Sequence, residues 1–327
     1  MNDQNQQNAL SKCIRSKIIE AHDADEHAHN LTNWQQEYDQ ISRGAFYGNI
    51  MEFSLRNIQV FKEHTSQALN QKCKVWPDSI WLGISAEDGS VDNNSTNSKG
   101  IRINGLPVEH NTIMCRPGNH EFELTTPEAF DIFGIVVNRA ALLEVAAIHG
   151  VTLNWQELNK HCRLNVPPKT LTALRFLLNR LLASQHSDTQ KKLQHDVVMM
   201  ALLEVLQKET PNQTINQSYQ HRKTVVDTAR QYLSRHTNNP VTMTELCEVT
   251  NVSRRTLQYS FETIMGISPL QYLRMSRLNA VRRALQHAVG EQTIADIAAQ
   301  WGFWHLSQFS HDYKHLFGKL PSECFKC

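Results

Sequence analysis

The chain has 327 residues, enough for two ordinary domains with a buried core in each. Hydrophobic residues make up 40% and charged residues 20%, a profile that excludes a disordered chain, and no run of 18 apolar residues occurs to make a transmembrane helix. Net charge is only +1, but residues 218–327 carry 13 Lys and Arg against 8 Asp and Glu, while the remainder carries 20 against 24. A basic C-terminal part on an acidic N-terminal part fits a nucleic-acid-binding module fused to something else.

Residues 1–30 are polar and lack the apolar core of a secretory signal, so they read as a disordered arm. Seven scattered cysteines suit reduced thiols in a cytoplasm. Residues 32–41 read as a short helix with Thr32 as its N-cap. From 44 to 138 short apolar runs alternate with turn signals: Phe53-Ser54-Leu55, Ile58-Gln59-Val60, Ile80-Trp81-Leu82 and Phe122-Glu123-Leu124 are examples. That punctuation predicts many short strands in a β-barrel or sandwich. Trp76 and Trp81 lie on strand-like segments, as core packing or as an aromatic wall for a cationic amine.

Helical stripes follow over 139–149, 168–183 and 193–206. The last two form a hairpin that either dimerises the chain or caps the barrel; both readings stay open. Residues 31–210 therefore read as an effector-sensing and dimerisation domain, 211–221 as a linker rich in Asn and Gln, and 222–327 as a DNA-binding domain.

Two segments of this last part share a logic, although no repeat of fixed period is evident. In the first, Thr242 or Thr244 caps a helix, Asn251 takes the tight turn, and Ser253 caps a second helix. Leu257, Phe261 and Ile264 form the buried stripe of that second helix, with Arg254, Arg255, Gln258 and Tyr259 on the other side. A major-groove helix needs this division, with Arg suited to guanine and Gln to adenine. In the second segment Thr293 caps a helix, residues 301–303 turn at Gly302, and a helix from about His305 to Phe317 buries Phe309, Tyr313 and Leu316. His305, Ser307, Gln308 and His311 are its candidate DNA contacts. A long helix from Pro269 to about His287 joins the units, and Arg282 and Arg283 on it are candidate phosphate contacts.

The stretch Gly302-Phe303-Trp304-His305-Leu306-Ser307-Gln308-Phe309, continuing to Phe317-Gly318 and Pro321, resembles the second unit of the AraC/XylS regulators. Val252-Ser253-Arg254-Arg255-Thr256-Leu257, with Gly266, Ser268 and Pro269, resembles their first. Tyr259 and His311 stand where that family often has arginine. The resemblance implies a sequence-specific transcription regulator, most often an activator, with duplex promoter DNA and RNA polymerase as partners. The fold class it implies is α+β: an N-terminal cupin-like β-barrel with a helical hairpin, then an all-α domain of two helix-turn-helix units joined by a long helix.

The phrases Trp34-Gln35-Gln36-Glu37-Tyr38, Val75-Trp76-Pro77 and Trp301-Gly302-Phe303-Trp304-His305-Leu306 are similar to the ethanolamine-utilisation branch of the family. That likeness implies a small-molecule effector, ethanolamine with adenosylcobalamin, or another amine. No cofactor, catalytic residue or metal ligand is expected. The His22-to-His29 run reads as a solvated segment, Cys324-Phe325-Lys326-Cys327 is a lone C-x-x-C, and 88–99 lacks key residues of a calcium loop. A cupin-like enzyme would need a metal set, but His64, His110 and His120 have no metal-binding spacing, so the chain is expected not to be an enzyme.

Overall fold

The computed structural model describes residues 16–87, 100–184, 188–207, 210–211, 217–236, 241–288 and 292–325. The N-terminal part is built on two antiparallel sheets. The larger runs β1 (Lys17–Ala21), β3 (Gly48–Leu55), β4 (Ile58–Thr65), β11 (Phe130–Asn138), β6 (Ser79–Ser85), β9 (Thr112–Pro117), β12 (Arg163–Asn165) and β13 (Thr210–Pro211). The smaller runs β2 (Gln35–Gln40), β5 (Leu69–Lys74), β10 (Glu121–Thr126), β7 (Arg102–Ile103) and β8 (Leu106–Pro107). Among the described residues no strand closes either sheet, so the expected barrel is a two-sheet sandwich.

Sequence period explains the layers. In β11 Ile132 and Val136 face the smaller sheet, while Phe133, Ile135 and Val137 face helices on the other side. A strand buried on both faces reads as the continuous apolar run seen in its sequence. Trp81 is fully buried between the sheets, with Phe122 stacked on it at 4.7 Å and Trp34 set edge-on. Gly83 and Gly134 pair across β6 and β11, and the rings of Trp81 and Phe61 occupy the space their Cβ atoms would need. Of the two readings left open for Trp81, its burial favours core packing.

The outer layer is helical: α2 (Arg139–Ile148), α3 (Trp155–Lys160), α4 (Pro168–Ala183) and α5 (Asp188–Gln207) bury Leu142, Leu158, Leu171, Leu178 and Leu202 against the larger sheet. Two sequence expectations fail here. Residues 35–40 are a strand, because their alternation buries Tyr38 and Gln40 and leaves Gln35 exposed. The supposed disordered arm lies partly outside the described residues, but from Lys17 it forms β1 and then α1 (Ala24–Ala28). His27 of α1, expected in a solvated run, is fully buried 3.0 Å from Glu63, and the Glu63 carboxylate accepts from Tyr38 Oη at 2.9 Å. The segment 88–99 lies outside the described residues.

The C-terminal part is α6 (Gln217–Arg235), α7 (Met243–Thr250), α8 (Arg254–Met265), α9 (Pro269–Gln286), α10 (Ile294–Gln300), α11 (Leu306–Phe317) and α12 (Pro321–Cys324). Helix α6 begins inside the expected linker. Its Val225, Val226 and Ala229 join one core with Leu246, Leu257, Phe261, Leu278 and Phe309, and Ile41 and Ala68 of the sandwich enter that same core.

Candidate nucleic-acid interface

Each helix-turn-helix unit is fixed by local chemistry. Thr242 caps α7, and Glu245 returns a bond to the Thr242 backbone; the bonds from the Thr242 backbone and hydroxyl hold the Glu245 carboxyl below its usual range. Thr293 and Asp296 repeat this box on α10, and the Thr293 hydroxyl and backbone lower the Asp296 carboxyl likewise. Asn251 at φ 50° and Gly302 at φ 79° take the left-handed turn after these helices. Ser253 then caps α8 through the Thr256 N–H at 3.2 Å, whereas His305 precedes α11 with no side-chain cap bond.

The structure reveals a repeat that the sequence conceals. Thr242, Glu245, Leu246, Asn251 and Val252 correspond to Thr293, Asp296, Ile297, Gly302 and Phe303, each 51 positions later. The backbone agrees: Val252 N–H donates to Cys247 at 3.1 Å and Phe303 N–H to Ala298 at 3.0 Å. Beyond the turn, Ser253, Leu257, Phe261, Ile264 and Gly266 correspond to His305, Phe309, Tyr313, Leu316 and Gly318, each 52 positions later. The second turn is one residue longer, and the extra residue is Trp304.

The surfaces built on this common frame differ. Arg254, Arg255 and Tyr259 of α8 are exposed and Gln258 is half-buried, donating to Glu262 at 2.5 Å. Arg222 of α6 lies over the Tyr259 ring at 5.0 Å. On α11 His305, Ser307, Gln308 and His311 are all exposed, and Gln308 donates to Asp312 at 2.9 Å. Arg254 and Arg255 have Leu306 and Ser307 as their counterparts, so the second surface has lost both guanidinium groups. The spacer α9 has 18 residues, a length of about 27 Å at 1.5 Å each. Arg274 on α9 pairs with Asp312 on α11.

Arg282 and Arg283 are not at this surface. Arg282 is 1% exposed, 3.2 Å from Asp23 and 5.1 Å from the Phe317 ring centre. Arg283 donates to Asp39 at 2.9 Å and lies 3.7 Å from Glu37. Burial opposes its charge, but Asp39 and Glu37 outweigh burial and raise its pKa. Phosphate contact by these two arginines is therefore corrected: the sandwich covers the face of α9 that carries them. The sequence offered no signal for this, because a solvated arginine and a domain-facing one share a helix position.

Three further links join the same surfaces. Gln40 N–H donates to Asn279 Oδ1 at 3.1 Å, and Asn279 Nδ2 returns a bond to Gln40 O at 3.0 Å. Gln40 Nε2 donates to Leu316 O at 2.7 Å. Arg230 of α6 pairs with Glu123 of β10 and donates to Tyr272 Oη at 3.0 Å. Beside these links a cleft of about 1300 Å³ separates the outer face of β2, β5 and β10 from α6 and α9. Lys72, Glu121, Asp227, Arg235 and Arg277 are among its walls.

Comparison with known proteins finds likenesses in the C-terminal part. A helix-turn-helix domain family matches residues 246–326. A probable thc operon regulatory protein of Rhodococcus erythropolis is 34% identical over 100 residues, 30% of this chain and 30% of that one. The XylDLEGF operon transcriptional activator 2 of Pseudomonas putida is 31% identical over 94 residues, 28% of this chain and 60% of that one. A solved structure of a probable AraC family transcriptional regulator from Rhodopseudomonas palustris is 28% identical, covers 31% of this chain and 93% of that one, and has a TM-score of 0.29. The likeness to these relatives thus covers less than two thirds of the curated proteins' own length. Residues 246–326 thus match a helix-turn-helix domain, and the C-terminal part of the chain is similar to transcription regulators of the AraC/XylS type.

Proposed function

We propose that the chain binds duplex promoter DNA through α8 and α11 and activates transcription from it in response to a small metabolite. The observation that carries this reading is the doubled, capped helix pair with polar side chains on the free face of each second helix. Arg254, Arg255, Gln258 and Tyr259 supply base and phosphate contacts in the first major groove; His305, Ser307, Gln308 and His311 do so in the second. The P. putida relatives named as operon activators support activation, with RNA polymerase as the further partner and the cytoplasm as its site of action. The sandwich is the sensing domain, and the α4–α5 hairpin is the candidate surface for a homodimer.

The effector belongs in the interdomain cleft. The space between the sheets holds Trp34, Phe61, Trp81 and Phe122 packed ring against ring, whereas the cleft is open and carries charges of both signs. A ligand in the cleft would touch Arg230 and Arg283 directly, and through them the helices that carry both units. Titrating the full chain against duplexes from promoters of its own genome tests the DNA reading: a folded chain with no preference over random duplex contradicts it. Melting curves with ethanolamine, adenosylcobalamin and related amines test the effector, and a flat response to all of them removes this effector class.

A further inference from the structure

The longer turn of the second unit places a large apolar side chain where the first unit has none. Trp304 is 75% exposed, and Leu306, on the first turn of α11, is 44% exposed. Each has a reason to be buried if packing alone governed it, since a fully buried side chain of this size gains about 1.5–3 kcal/mol. The core side of that turn is taken by Phe303, which packs on Phe309 at 5.2 Å. Leu306 directly precedes Ser307, and Trp304, Leu306, Ser307 and Gln308 are all exposed. Leu306 occupies the position that holds Arg254 in the first unit, at the N-terminus of its helix, the end from which such helices contact base edges.

We infer that Trp304 and Leu306 form an apolar reading edge that packs on the C5-methyl groups of thymines in the half-site of the second unit. The inference rests on the DNA-binding reading above and deepens it. Thymine is the base that presents an apolar group in the major groove, and an aliphatic or aromatic side chain is what recognises it. The first unit, with arginines at the corresponding positions, selects guanine by donors. The second, with Leu306 and Ser307 there, selects thymine by exclusion of water from a methyl group.

The test uses the full chain. A random 30-base-pair duplex library, about three helical turns long, is enriched on the chain, and each thymine of the winning duplex is replaced in turn by deoxyuridine. Loss of each contacted methyl should weaken binding about fourfold, confined to one half-site. Trp304→Ala and Leu306→Ala should bind more weakly and no longer distinguish thymine from uracil, with unchanged melting temperature because both side chains are exposed. The inference is overturned if uracil is tolerated at every position while Arg255→Ala still loses affinity. It is also overturned if the two variants retain full affinity and thymine preference but lose transcriptional activation, for then the edge faces a protein. A folded chain that enriches no sequence overturns the DNA-binding reading itself, and this inference with it.

Discussion

The two helix-turn-helix units share a frame and differ in surface. Both begin at a threonine capping box, turn through a left-handed residue, bury four apolar side chains of the second helix and end at a glycine, Gly266 or Gly318, near φ 70°. Yet α8 carries two exposed arginines behind a capping serine, while α11 has neither and is preceded by an exposed tryptophan in the turn. Core and caps set the helix geometry; the free face sets what the helix can read. Neighbouring parts of one domain have separated these two tasks.

The largest effects should fall on the shared frame. Leu257→Ala and Phe309→Ala remove equivalent, fully buried side chains. They should destabilise the C-terminal domain by about 2–5 and 3–5 kcal/mol in denaturant titrations. A strongly unequal pair would break the equivalence of the two units. Arg282→Ala removes a buried partner of Asp23 and should cost about 3–5 kcal/mol in stability. It should leave the salt dependence of DNA binding unchanged; a slope smaller by about one would restore Arg282 to the phosphate surface.

Next come the surfaces. Arg255→Ala should cost about 1–3 kcal/mol on the preferred duplex, and its counterpart Ser307→Ala about 0.5–1.5 kcal/mol. Equal losses in quantitative band-shift titrations would remove the asymmetry. The caps sharpen the contrast further: Ser253→Ala should cost about 1 kcal/mol in thermal melts, while His305→Ala, where no side-chain cap bond exists, should cost clearly less. The smallest effect is shared. The lowered carboxyls of Glu245 and Asp296 contribute stability that is present above the ordinary carboxylate range and lost as pH falls through their folded values. Acid melting of Glu245→Gln and Asp296→Asn should be correspondingly less pH-dependent than that of the unaltered chain.

Much of the C-terminal domain was legible because its signals are local. Thr293, Ser253, Pro269 and the Leu257-Phe261-Ile264 stripe mark starts, stops and faces within a few residues, and the observed elements follow them closely. The 51-to-52 register was hidden because the buried pairs change identity, Leu257 to Phe309 and Phe261 to Tyr313, while only their spacing persists. The N-terminal part was less legible. Strand content showed in the alternation, but whether strands close a barrel or divide into two sheets depends on pairings between distant segments, as of β2 with β5. Residues 35–40 misled because a polar strand sheltered by another domain resembles an amphipathic helix. The fate of Asp23, Asp25, Arg282 and Arg283 rests on contacts more than 200 positions apart, which no local pattern records.

The central claim is that the C-terminal domain reads duplex DNA through two equivalent helices with unequal surfaces. A base-by-base substitution scan of the duplex enriched on the full chain measures this directly. Penalties of about 1–3 kcal/mol should cluster in the half-site contacted by α8, with smaller ones in the half-site of α11. Arg255→Ala should flatten the first cluster and leave the second in place. Equal penalties in both half-sites, or a first cluster that survives Arg255→Ala, would contradict the account.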